Sequence, residues 1–86
     1  MSDSEDTPDD IEPGLTPVDS TNVAAVGWTF RLRTFTRTLI VQFHNGSVYE
    51  YFGVPRSVYK DFLLTPTPGK YLYSNVKGRY DFERVQ

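Results

Sequence analysis

The chain has 86 residues, no cysteine and a formal charge of −2. That length allows one small domain, which must bury a dense core to be stable. The absence of cysteine excludes a disulfide framework and a thiolate metal site. The apolar runs are too short for a membrane span, and the acidic N-terminus does not read as a signal peptide, so the expectation is a soluble, cytoplasmic protein without a membrane contact.

The charge is unevenly distributed. Residues 1–20 hold seven acids (Asp3, Glu5, Asp6, Asp9, Asp10, Glu12, Asp19) and no base, whereas residues 21–86 hold nine bases and four acids. A leader of −7 therefore precedes a domain of +5. The leader, rich in Asp, Ser, Thr and Pro, is expected to be a disordered tail over residues 1–19, with the folded domain at 20–86. All thirteen Phe, Tyr and Trp lie between Trp28 and Phe82. Each can bury roughly 150–250 Å², so aromatics supply the core that so short a chain needs.

The pattern predicts a first strand over 22–32. Val26, Trp28, Phe30 and Leu32 alternate with Gly27, Thr29, Arg31 and Arg33, giving one apolar and one basic face. Gly27 inside a strand signals a bulge or a close backbone approach. After a turn at 34–37, strands at 38–44 and 47–52 flank Asn45-Gly46 and form a hairpin.

The register of that hairpin decides where Tyr49 and Tyr51 point. A two-residue loop makes opposing residue numbers sum to 91 and puts Glu50 among Leu39, Val41 and Phe43. A three-residue loop with a glycine bulge at Gly46 makes the sum 90 and places both tyrosines with those apolar residues. One residue of slip inverts the whole strand. Burying an unpaired Glu50 costs more than exposing Val48, which favours the bulged register. Tyr49 and Tyr51 are then core residues rather than a stacking platform.

Pro55 suits the first position of a helix that ends near Leu64, because Pro66 disfavours helical backbone at Thr65. Val58 and Phe62 are its apolar positions. Thr67-Pro68 starts a second, short helix carrying Leu72 and Val76 inward and ending near Gly78. Residues 80–85 close as a strand. The order is β-β-β-α-α-β, an α+β fold with an antiparallel sheet and helices on one face. The predicted core is Trp28, Phe30, Leu39, Val41, Phe43, Tyr49, Tyr51, Val58, Phe62, Leu72 and Val76.

Ser20-x-Asn22, Val26-Gly27-Trp28, Leu39-x-Val41-x-Phe43, Gly46, Tyr49-x-Tyr51, Val54-Pro55-x-x-Val58-Tyr59, Gly69, Val76 and Tyr80 occur in that order. This series resembles the KTSC domain, a small module named from the C-terminus of some lysyl-tRNA synthetases, and spans residues 20 to 85. Two departures stand out. The link carrying Arg31, Arg33 and Arg37 is longer than the family's, and Leu72-Tyr73 stands where the family shows Phe-Asn. The family has no established function; its association with a tRNA-charging enzyme suggests RNA binding, and the resemblance carries over no catalytic residue.

A nucleic-acid interface needs cations for phosphates and flat rings or donors for bases. The cations are Arg31, Arg33, Arg37, Lys70, Lys77, Arg79 and Arg84. Arg31 and Arg33 on one strand face, joined by Arg84 from the closing strand, would make a basic stripe. Catalysis and metal binding find no support. His44 is the only histidine and borders a turn, the acids are scattered, and Gly69 and Gly78 lack phosphate-loop spacing. Asn45-Gly46-Ser47 matches a glycosylation sequon but reads as a turn. No cofactor is expected. Two functions stay open for a non-enzymatic module: RNA binding through a basic surface, or docking onto a larger protein. The oligomeric state is not encoded in any pattern here.

Overall fold

A computed structural model describes residue 11 and residues 14–86. The expected disorder of the leader falls mostly outside the described residues. The elements run β1 (Thr16–Pro17), β2 (Val23–Arg31), β3 (Thr36–Phe43), β4 (Val48–Phe52), α1 (Arg56–Leu64), α2 (Pro68–Asn75) and β5 (Phe82–Arg84). Five strands form one antiparallel sheet in the order β1-β2-β3-β4-β5. The α+β class, the helices packed on the sheet and the β-β-β-α-α-β series are as the residue pattern predicts, with β1 added in front. Because Thr16 and Pro17 pair with Val26 and Ala25, the folded unit starts before residue 20, inside the segment assigned to the tail.

The β3–β4 hairpin adopts the bulged register. Leu39 lies opposite Tyr51, Val41 opposite Tyr49 and Ile40 opposite Glu50, each pair summing to 90. Gly46 has φ +93°, the left-handed backbone that a three-residue loop demands and glycine accepts freely. Its N–H donates to the Phe43 carbonyl at 2.9 Å, and Asn45 Oδ1 accepts both the Ser47 N–H and its hydroxyl. Glu50 consequently sits on the face away from the helices. There the Arg31 guanidinium meets its two oxygens at 3.3 and 3.1 Å. That carboxylate holds the Arg31 pKa above its ordinary value, through the hydrogen bond first and the charge second.

The core lies between the sheet and the two helices. Val23, Val26, Leu39, Val41, Tyr51, Val54, Phe62, Leu72 and Val76 are buried together, with Trp28, Phe43, Tyr49 and Val58 packed against them and partly exposed. Trp28 Nε1 donates to the Val54 carbonyl at 2.8 Å and ties β2 to the entrance of α1. The Phe62 and Tyr71 rings, 5.3 Å apart and nearly edge to face, join the helices. Phe30 is the correction to the predicted core. It is 44% exposed, because its partner across the ladder is Arg37 and the sheet there runs past the helices.

Gly27 marks a close approach rather than a bulge. The irregularity in β2 falls between Val23 and Ala25, whereas a Cβ on Gly27 would run into the Leu15 side chain. The segment before β1 therefore crosses the outer face of the sheet at the one β2 position without a side chain.

Candidate functional site

The seven cations do not form a stripe. Residues directly opposite in an antiparallel ladder share a face. Arg31 pairs with Thr36 on the outer face, and Arg84 pairs with Tyr49 on the helix side. The two are on opposite faces, and Glu50 already engages Arg31. The cations fall instead into three places. Arg31, Arg33 and Arg37 surround the β2–β3 loop, and Lys70 sits in the first turn of α2. Lys77, Arg79 and Arg84 lie in the segment running from the end of α2 into β5.

Of this last group, Lys77 lines a cleft of about 320 Å³ together with Phe43, Asn45, Ser47, Tyr49, Tyr51, Gly78 and Phe82. Its rings come from three strands. Tyr49 and Tyr51, two apart on β4, point the same way and lie nearly parallel, 22° and 6.4 Å apart. Phe43 meets Tyr49 edge-on at 5.5 Å from the neighbouring strand. Phe82 of β5 lies opposite Tyr51, its ring 5.7 Å from both tyrosine rings, and remains 58% exposed. Lys77 holds its ammonium 4.7 Å from the centre of the Tyr73 ring, while Arg84 shares the cleft side of β5 with Phe82. Arg79 donates from Nε to the Ser74 carbonyl, which fixes the turn leading into β5.

Burial pushes the Tyr51 hydroxyl pKa above its ordinary value, and the neighbouring Tyr49 and Tyr73 add to the shift. The phenol therefore stays a neutral hydrogen-bonding group under physiological conditions. The cleft can thus offer a ring face, a phenol, a carboxamide and the Lys77 cation to one flat, anionic ligand. Periodicity places Tyr49 and Tyr51 inward, and they are so placed, yet the cleft they help to line is not evident in it. Phe82, which completes the cleft, reaches Tyr51 only after two intervening helices.

A second recess, about 660 Å³, lies where Ser20, Thr21 and Asn22 meet Pro68, Gly69 and Lys70 of α2. Ser20, on its wall, is engaged in holding the fold. Ser20 Oγ accepts the N–H of Asn22 and of Val23, each at 3.2 Å, and His44 Nε2 donates to the Ser20 carbonyl at 2.7 Å. His44 is thereby a tie between β3 and this turn. Among the described residues, no three His, Cys, Asp or Glu cluster as metal ligands would.

Comparison with known proteins bears on the whole of this unit. The KTSC domain model matches residues 19–80. A lysine–tRNA ligase of Trichormus variabilis is 38% identical over 56 residues, which is 65% of this chain and 10% of that enzyme. The lysine–tRNA ligase of Nostoc punctiforme is 44% identical over 50 residues, 58% of this chain and 9% of the enzyme. The chain thus spans about a tenth of the length of these relatives. The crystal structure of a KTSC domain protein from Yersinia pestis superposes with a TM-score of 0.72 at 25% identity, covering 84% of this chain and 96% of that one. With the family model covering most of the sequence and the five-stranded sheet and paired helices shared, the chain belongs to the KTSC domain family.

Proposed function

We propose that this domain is a non-enzymatic module that binds single-stranded RNA through the aromatic cleft. The supporting observation is the convergence of Phe43, Tyr49, Tyr51 and Phe82 with Lys77 on one concave surface, with Arg84 on the same face of β5 as Phe82. Base-on-aromatic stacking contributes about 1–3 kcal/mol per base, and every base has a ring face to offer. The exposed face of Phe82 takes an unpaired base, Lys77 and Arg84 neutralise the flanking phosphates, and Asn45 supplies amide hydrogens to a base edge. The same sequence type occurs in lysine–tRNA ligases, whose substrate offers unpaired loop and end nucleotides.

Titration with an octauridylate at two salt concentrations, followed by amide chemical shifts, tests this reading. Binding should weaken with salt, perturb Tyr49, Tyr51, Lys77 and Phe82, and fall about 5- to 100-fold in Phe82→Ala. Because Phe82 also touches Tyr51, unchanged amide shifts at Leu39 and Val41 are needed to show that the variant keeps its core. Absence of binding at low salt, or shifts confined to the β2–β3 loop, would refute it.

A further inference from the structure

The β2–β3 loop, at the other end of the sheet, carries a surface that neither the core nor the cleft uses. Leu32 and Phe35 are 71% and 75% exposed, and Phe30 stands beside them at the end of β2. Arg33 and Arg37 flank these side chains. Neither makes an ion pair among the described residues, and the chain has no carboxylate between Asp19 and Glu50. The loop hydroxyls bond within the loop, Thr36 Oγ1 donating to Thr34 Oγ1 at 2.7 Å. Phe35 also holds φ +52°, a left-handed conformation that favours Gly or Asn and penalises a bulky side chain. Backbone preference does not account for a phenyl ring at this position, and its ring contact with Phe30 still leaves it largely in water.

We infer that this hairpin tip is a wedge that docks on an anionic lipid bilayer, Leu32 and Phe35 entering the headgroup–acyl boundary and Arg33 and Arg37 resting on lipid phosphates. Charge complementarity and size together favour this partner. A stable protein interface takes roughly 20–30 residues a side, several times what the tip presents. A bilayer, by contrast, accepts a small convex wedge anywhere and needs no preformed pocket. Nucleic acid fits poorly, since the Phe30 and Phe35 rings lie 6.1 Å apart at 57° and pack on each other rather than offering parallel faces. Arginines can extend to phosphate level while their stems stay in apolar surroundings. At physiological salt the screening length is about 8 Å, so the tip's own arginines, and not the net charge of −2, set the local attraction. Such a contact reverses the expectation drawn from the short apolar runs, which bear on spanning alone, and it is peripheral: among the described residues no helix is long and apolar enough to cross a membrane.

Cosedimentation of the full chain with phosphatidylglycerol–phosphatidylcholine vesicles, and with phosphatidylcholine alone, tests the assignment. Binding is expected to the anionic vesicles only and to weaken with salt. Leu32→Ser with Phe35→Ser should reduce it at least about tenfold, from the apolar surface withheld. Arg33→Gln and Arg37→Gln should each cost about fivefold. An unchanged amide spectrum outside the loop establishes that each variant is folded. No sedimentation at low salt, or sedimentation indifferent to the serine pair, overturns the proposal. So does a tip that responds to oligoribonucleotide, or to self-association, in place of vesicles.

Discussion

Phe43, Tyr49 and Tyr51 near the β3–β4 turn, and Phe30, Leu32 and Phe35 near the β2–β3 loop, are apolar side chains of similar size on adjoining stretches of the same sheet. At the first end they are drawn together, because Leu72 and Val76 join the same cluster and β5, pairing with β4, sets Phe82 against both tyrosines. At the second end the strands run beyond the helices, and Leu32, Phe35 and much of Phe30 meet water. Apolar content alone therefore does not determine burial in a chain this short. What determines it is where the later elements come back. The covered end becomes a cleft with a ring floor, and the uncovered end becomes a protruding tip.

The largest test of that contrast sets Tyr51→Ala against Leu32→Ala. Tyr51 is buried in the core cluster, and emptying a large aromatic site costs about 3–5 kcal/mol. Small domains are stable by only about 5–15 kcal/mol in total, so urea unfolding should shift drastically. Leu32→Ala at the tip should stay within about 0.5 kcal/mol of the parent. Equal losses would mean that the tip is packed after all. Tyr51 also adds a pH signature. Its folded pKa lies above the unfolded value of 10.0, so its contribution is complete below pH 10 and is lost as pH rises towards the folded pKa. Tyr51→Phe should blunt the alkaline limb of a stability–pH profile and leave the neutral region's shape unchanged.

The same contrast explains what the sequence makes legible. Both hairpins, both helices and the α+β class follow from local signals: alternation, Asn45-Gly46, Pro55 and Thr67-Pro68. The bulged register follows from one unfavourable burial, that of Glu50. Periodicity fails at Phe30 because alternation continues along β2 after the helices have ended. It is silent on β1, a two-residue strand containing a proline, whose existence depends on the neighbouring β2 edge. Gly27 announces a close approach but cannot name Leu15 as the visitor. The cleft needs Phe82 beside Tyr51, a pairing across thirty-one positions that no local pattern encodes. The basic stripe fails for the related reason that face and register fix which side a cation occupies.

At the uncovered end, Phe35→Gly should stabilise the fold. A non-glycine residue in left-handed backbone costs about 1–2 kcal/mol, and glycine returns part of that gain as unfolded-state entropy, leaving about 0.5–1 kcal/mol. A rise in thermal midpoint together with weaker vesicle binding is the expected pair of results, because the ring that strains the loop is also half of its apolar wedge. A fall in stability would show that Phe35 packs on Phe30 more profitably than its exposure implies.

The smallest effect belongs to the seam between the two ends, on the outer face. Arg31 at the end of β2 reaches Glu50 of β4 across β3, and the register places Thr38 between them. The Thr38 hydroxyl is buried without a hydrogen-bond partner among the described residues. An exposed pair such as Arg31–Glu50 contributes about 0.2–1 kcal/mol, and Arg31 is about half exposed, so the lower part of that range applies. Because the Arg31–Glu50 pair spans the Thr38 position, removing Arg31 is expected to open that hydroxyl to water and offset part of the loss. Arg31→Ala should therefore cost less in the parent than in a Thr38→Val background, where there is no hydroxyl to hydrate. A double-mutant cycle on the two positions reads that difference directly as a coupling of about 0.5 kcal/mol. A cycle that closes to zero would mean that the Arg31–Glu50 pair leaves the solvation of Thr38 unchanged, and that the covered and uncovered ends are energetically independent across β3.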